Sequence, residues 1–305
     1  MQSHTLDLDG PVHYVDFGGS GPTMVLVHGL GGSLLNWLWV GEKLARHARV
    51  LALDLAGFGH SPLAGRSSSV SANQSLLDRF IQAVSPHEPV ILVGNSMGGA
   101  ISVLQTARNP RRVAGLVLVN PAQPRAEGTR MEPAVFALFT LYALPGVGEF
   151  FVKRRAARTD PETLARGMLK LCCRDLKRFP EDLVRMHVEH ARERHERMPW
   201  SSDAFVQAAR SLVFLLLRKK SFRALEKGIT VPTLLMQGTE DRLVPVSNSR
   251  ELARARPDWT YVEYPGMGHT PMMERPDTFV ATVEQWLQTH GDALAGKAPR
   301  VARAS

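Results

Sequence analysis

Val90-Ile91-Leu92-Val93-Gly94-Asn95-Ser96-Met97-Gly98-Gly99 is an apolar run that stops abruptly at small residues flanking a serine. It reads as a buried strand turning sharply into a helix, with Ser96 at the apex. Gly94 and Gly98 lie two residues either side of Ser96, where a tight strand-to-helix turn leaves no room for a Cβ atom. Such a turn holds the Ser96 hydroxyl out of the fold, at the positive end of the following helix. Taken alone, the pattern fits a nucleophile-bearing elbow and an ordinary glycine-serine loop equally well. The surrounding chain separates the two.

Working outward, residues 23–27, 50–53 and 114–119 are further short apolar runs, the first two ending in glycine-rich turns. Helical spacing separates them, over 37–48, 70–84 and 97–108. Strands alternating with helices indicate a mostly parallel α/β sheet with helices on both faces. Residues 4–9 and 11–16 open the chain as an antiparallel hairpin turning at Asp9-Gly10. The alternation then stops from Pro121 to Phe222, where only helix-like segments occur, and resumes with strands at 232–237 and 259–264 and helices at 247–256 and 276–290. The expected organisation is a core of residues 1–120 and 223–291, an inserted helical cap or lid at 121–222, and a flexible basic tail at 292–305.

Composition narrows the function classes. The chain has 305 residues, 44% of them hydrophobic, enough for a large core. Cys172 and Cys173, its two cysteines, are adjacent, which is poor geometry for a disulfide and offers no metal-ligand spacing, so both are expected as thiols. The net charge of +8 comes without a nucleic-acid-reading motif or an aromatic-basic stripe, and nucleic acid is set aside as a partner. Met1 to Gly10 has no basic region followed by an apolar run, and a cytoplasmic location is expected. Neither a cofactor nor a metal ion is expected.

In open parallel sheets ligands bind beyond the carboxyl ends of strands. Four such ends carry chemistry here: His28-Gly29-Leu30, Ser96, Asp241 within Gly238-Thr239-Glu240-Asp241-Arg242-Leu243-Val244-Pro245, and His269 within Gly266-Met267-Gly268-His269-Thr270. The order serine, acid, histidine is that of the hydrolase lineage. A serine hydroxyl is a poor nucleophile until a base takes its proton, an imidazole can take and return that proton, and a carboxylate can hold the imidazole tautomer. Glu240 is the competing acid beside Asp241, and Asp54 could serve as one, though its glycine turn favours a structural role. His60, His187, His190 and His195 read as surface or satisfied histidines, and Cys172 as a packing residue.

These motifs, with Asp54-Leu55-Ala56-Gly57-Phe58-Gly59-His60-Ser61, resemble those of the α/β-hydrolase fold family over roughly residues 10–120 and 230–290. The resemblance implies a triad of Ser96, Asp241 and His269, with the backbone amides of Leu30 and Met97 as oxyanion donors and His28 bracing the oxyanion loop. Serine at 96 argues against the epoxide hydrolases and haloalkane dehalogenases, which resemble this fold but attack through a carboxylate. The implied function is a serine esterase or lipase-like hydrolase cleaving small lipophilic esters through an acyl-enzyme. Asn95 also makes the elbow similar to that of carbon-carbon bond hydrolases acting on ring-cleavage products. Those enzymes often carry tryptophan after the histidine, where this chain has Thr270-Pro271-Met272-Met273. A binding protein of the same fold without catalysis is the reading from a different class, against which the complete triad argues. The apolar runs 133–144 and 211–217 either line an acyl pocket, pack on the sheet, or touch lipid, and the basic residues after each would suit peripheral contact with an anionic membrane.

Overall fold

The computed structural model describes residues 1–129, 131–176 and 179–294. The expected tail lies outside the described residues from 295 onward. Strands β1 (Gln2–Asp7), β2 (Pro11–Gly18), β3 (Thr23–Val27), β4 (Arg49–Leu53), β5 (Val90–Asn95), β6 (Val113–Val119), β7 (Thr233–Gly238) and β8 (Thr260–Tyr264) form one sheet. Their order across it is β1-β2-β4-β3-β5-β6-β7-β8. The β1/β2 and β2/β4 pairs are antiparallel, and every pair from β4 to β8 is parallel.

The central strands are apolar along their whole length because both faces are covered. Alternate residues enter opposite cores: Ile91 and Val93 pack with Trp37, Phe279 and Trp286 on one side, and Val90 and Leu92 pack with Leu77, Phe80 and Ile101 on the other. The first face is covered by α1 (Leu38–Leu44) and α12 (Pro276–Leu294), the second by α2 (Val70–Val84), α3 (Met97–Arg108) and α10 (Val246–Ala255). Helix α1 is shorter than its periodicity predicts, and Ala45 to Ala48 form a turn into β4. A one-turn helix, α11 (Pro271–Glu274), follows His269.

Between β6 and β7 the described residues contain helices and no strand: α4 (Pro133–Ala143), α5 (Val147–Arg158), α6 (Pro161–Cys172), α7 (Glu181–Arg197), α8 (Ser201–Leu217) and α9 (Lys219–Gly228). A boundary at 222/223 falls inside α9, whose Phe222 is buried in the same core as α2 and α3. Among the described residues no single helix is long and apolar enough to cross a membrane; α4 and α5 reach that length only together and meet at 113°.

Candidate active site

Ser96 sits between β5 and α3 at φ 54°, ψ −119°, a conformation that L-residues other than glycine seldom adopt. The turn is tight for the reason its sequence suggests. A Cβ on Gly98 would lie 2.2 Å from the carbonyl oxygen of Val27, and one on Gly94 would lie 2.5 Å from that of Gly98. The elbow is held from both sides, with the Ser96 amide donating to Val119 O (3.1 Å) and the Ser96 carbonyl accepting from Ala122 N (2.9 Å). Ser96 itself is partly exposed.

Asp241 and His269 follow β7 and β8, and they touch: His269 Nδ1 lies 2.7 Å from Asp241 Oδ2. The Asp241 carboxylate is saturated with donors. Its Oδ1 accepts from the amides of Leu243 (2.8 Å) and Val244 (2.9 Å), and its Oδ2 accepts from Asn120 Nδ2 (2.7 Å) and Gln237 Nε2 (3.2 Å) besides the imidazole. With an acceptor-only carboxylate facing it, Nδ1 carries the ring proton and Nε2 keeps its lone pair. No hydrogen bond joins Ser96 to His269 among the described residues; Asn95 links them, its Nδ2 donating to His269 O at 3.1 Å and to Val119 O at 3.0 Å. Asn95 is thus a buried brace of the elbow.

Glu240, the competing acid, points away and pairs with Arg174 at 2.5 Å. Asp54 is buried and accepts from His13 Nδ1, Leu34 N and His60 N. Burial works to raise its carboxyl, yet those bonds hold it below the ordinary carboxylate range. Its role is to tie the 54–61 turn to β2 and to the start of the helical segment at 34.

His28 shows how the Leu30 loop is set. The Leu55 amide donates to His28 Nε2 (3.1 Å), so Nδ1 carries the proton and donates to Gly29 O (2.8 Å). The Gly32 amide reaches the same oxygen at 3.1 Å. Because a trans peptide is planar, pinning Gly29 C=O turns the Leu30 N–H the opposite way. Nothing among the described residues accepts from that N–H, and the Met97 N–H, in the first turn of α3, has no intrahelical partner. Burial pushes the His28 imidazole below its ordinary value, keeping it neutral in this role.

Several supports are absent from the motif reading. Asn120, at φ 45° just past β6, joins Asp241 to the His269 loop, its Nδ2 also donating to Gly268 O at 3.0 Å. Its only sequence signal is a polar residue ending an apolar strand. The His269 amide donates to Cys172 O at 2.6 Å, fastening the end of α6 to the histidine loop. Both cysteines are free thiols; burial, with Asp241 and Glu274 nearby, pushes the Cys172 thiol up to about 12. Arg194 on α7 reaches the other side of the site, donating to Gly31 O at 3.3 Å. It borders a cavity of about 20 Å³ with Gly31, Gly32, Phe58, Met198 and Phe205, room for about one water.

Sheet order, elbow and strand-end chemistry define an α/β hydrolase, and the chain belongs to that family: the model of the alpha/beta hydrolase fold matches residues 22–276. Among curated relatives, the 2-hydroxy-6-oxononadienedioate/2-hydroxy-6-oxononatrienedioate hydrolase 2 of Pseudomonas putida is 27% identical, covering 92% of this chain and 93% of its own length. The pimeloyl-[acyl-carrier protein] methyl ester esterase of Aliivibrio fischeri strain MJ11 is 24% identical over 89% of this chain and 96% of its own. In structure, a thermophilic esterase from Thermogutta terrifontis superposes with a TM-score of 0.68 over 95% of this chain and 99% of the other, at 24% identity, a likeness of fold.

Proposed function

We propose that the protein is a serine hydrolase that cleaves small lipophilic carboxylic esters, of short to medium acyl chain, through an acyl-enzyme. The observation that carries this reading is the Asp241-held His269 imidazole, its Nε2 lone pair free, beside a serine kept at a left-handed apex. In the first step Ser96 Oγ bonds to the ester carbonyl carbon while its proton passes to His269 Nε2. The carbonyl oxygen takes the negative charge and lies against the Leu30 and Met97 amides, where one donor is worth ~2.7–4 kcal/mol of barrier. The C–O bond to the alcohol then breaks, the alcohol leaving with the proton from His269. Water repeats the sequence on the acyl-enzyme and restores Ser96. The proton transfer requires Ser96 Oγ within hydrogen-bond reach of His269 Nε2, a contact of the kind that commonly forms only in the substrate complex. Turnover of p-nitrophenyl esters of increasing acyl length, with fluorophosphonate labelling, tests this. Labelling of Ser96 and a rate that peaks beyond acetate are expected; no adduct on Ser96 in folded protein would falsify it.

A second reading, carbon-carbon bond hydrolysis, is favoured by Arg194, a largely desolvated guanidinium hung over the Leu30 loop from an insert helix. Such a cation suits a substrate carboxylate or enolate. The two readings part on a vinylogous 1,5-diketone ring-cleavage product: turnover faster than any ester by orders of magnitude, lost in Arg194→Met, selects the second.

We also propose that the insert meets its substrate at an anionic lipid surface. Phe150, Phe214 and Leu217 are 65%, 52% and 73% exposed, Arg154 lies over the Phe150 ring at 5.8 Å, and Arg218 and Lys220 follow Leu217. Cosedimentation with phosphatidylglycerol vesicles that weakens in Phe150→Asp supports this contact; equal recovery with and without vesicles removes it.

A further inference from the structure

His60, His190 and Glu193 converge where the 54–61 turn meets helix α7. His60 Nε2 lies 3.0 Å from Glu193 Oε2 and His190 Nδ1 lies 3.8 Å from the same oxygen. The three ligand atoms all fall within 4.8 Å of one another, and the imidazole centroids are 5.7 Å apart, edge to face. His190 and Glu193 share one face of α7 at i, i+3 spacing. His60 is presented by the turn, its amide fixed on Asp54 Oδ2 at 3.0 Å.

From this arrangement we infer a site for a divalent transition-metal ion of the zinc type, held by His60, His190 and Glu193. Two imidazoles and one carboxylate are a borderline-soft donor set that prefers zinc, cobalt or nickel to magnesium or calcium. Bond lengths of about 2.0–2.2 Å to such an ion put tetrahedral ligand atoms some 3.3 Å apart, so rotamer shifts of about 1 Å close the set. A cavity of about 490 Å³, lined by Leu35, His60, Met186, His190, Glu193 and Arg197, borders the three residues and leaves the fourth position for water. Side-chain exposures of 48% for His60, 12% for His190 and 34% for Glu193 make the site reachable from solvent. The neighbouring grouping of His13, Asp54 and His60 is a closed hydrogen-bonded unit instead, since Asp54 already accepts from His13 and from two amides.

The ion links a core turn to an insert helix. Helix α7 carries Arg194 one turn beyond His190, and Arg194 reaches Gly31 in the loop of the candidate oxyanion donor. Metal binding therefore fixes α7 against that loop. The inference stands whether or not Ser96 is a nucleophile.

The test is zinc titration of chelator-treated, tag-free protein by calorimetry, with hydrogen exchange of α7. One equivalent is expected to bind and to slow exchange of α7 amides. His190→Ala and Glu193→Gln weaken binding at least about tenfold, whereas His195→Ala, on the same helix, leaves it unchanged. Cobalt provides a readout that needs no variant: intense visible bands of a four- or five-coordinate nitrogen-oxygen site. Binding weaker than millimolar, binding indifferent to His190→Ala, or a six-coordinate cobalt spectrum overturns the site; binding without slower α7 exchange overturns the link.

Discussion

At Ser96 the backbone is forced to φ 54°, a conformation that costs a non-glycine residue of order 1–3 kcal/mol. Ser96→Gly removes that cost and loses some chain entropy, so it should stabilise the fold by about 1 kcal/mol in urea denaturation. Esterase activity should at the same time fall at least ~10³-fold. A variant destabilised to the same degree as a typical core change would show that the elbow is not strained. His28 makes the complementary point. His28→Phe keeps a ring in place but strands the Leu55 amide and leaves Gly29 O to the Gly32 amide alone, which should cost about 1–3 kcal/mol. The Leu30 amide then loses its aim, and kcat should drop by about 10² or more with KM little changed. An unchanged kcat would separate His28 from the Leu30 loop's function.

Among elements, the join between α6 and the loop before α11 is the least expected. The chemistry-bearing side chains lie at strand ends, where glycine turns and residue order make them legible from sequence. The groups that hold them in place are not legible in the same way. Asn120 and Gln237 show only as polar residues at the ends of apolar strands, and their partner, Asp241, is set by sheet order. Cys172 contributes a carbonyl oxygen, which no residue type announces. His60 lies far in sequence from His190 and Glu193, so spacing hides their convergence. The raised Cys172 thiol and the still higher Cys173 lead to a measurable outcome, because only the thiolate reacts. Native protein should release almost no thionitrobenzoate from Ellman's reagent at pH 8, and two equivalents after denaturation in guanidinium. Rapid release from folded protein would mean that α6 parts from the histidine loop.

For the molecule as a whole, buried histidines set the response to acid. Burial pushes His28 and His187 below their ordinary values. Below about pH 6.5 the unfolded chain therefore takes up protons that the folded one refuses, and stability falls with pH through that window. Glu226 works the other way: burial raises it to about 6, so from about pH 4.3 to 6 the folded state holds the extra proton and loses stability as pH rises. The melting midpoint should therefore fall on going from about pH 7 to about pH 5 as the unfolded histidines take up protons, with Glu226 offsetting part of the fall. His187 Nε2 is buried without a partner among the described residues, so His187→Leu should melt no lower at pH 7 and flatten the decline. An equal slope in that variant would remove His187 from the account.

The 2.6 Å bond from the His269 amide to Cys172 O has a consequence for anyone wishing to trim or exchange the region between β6 and β7. A chimaera carrying another protein's helices there would keep its sheet and its serine turn. Its histidine loop, however, would lose an acceptor that this chain supplies from the end of α6. A donor segment must therefore place a carbonyl oxygen where Cys172 places its own, a requirement on backbone position that no match of side chains can meet.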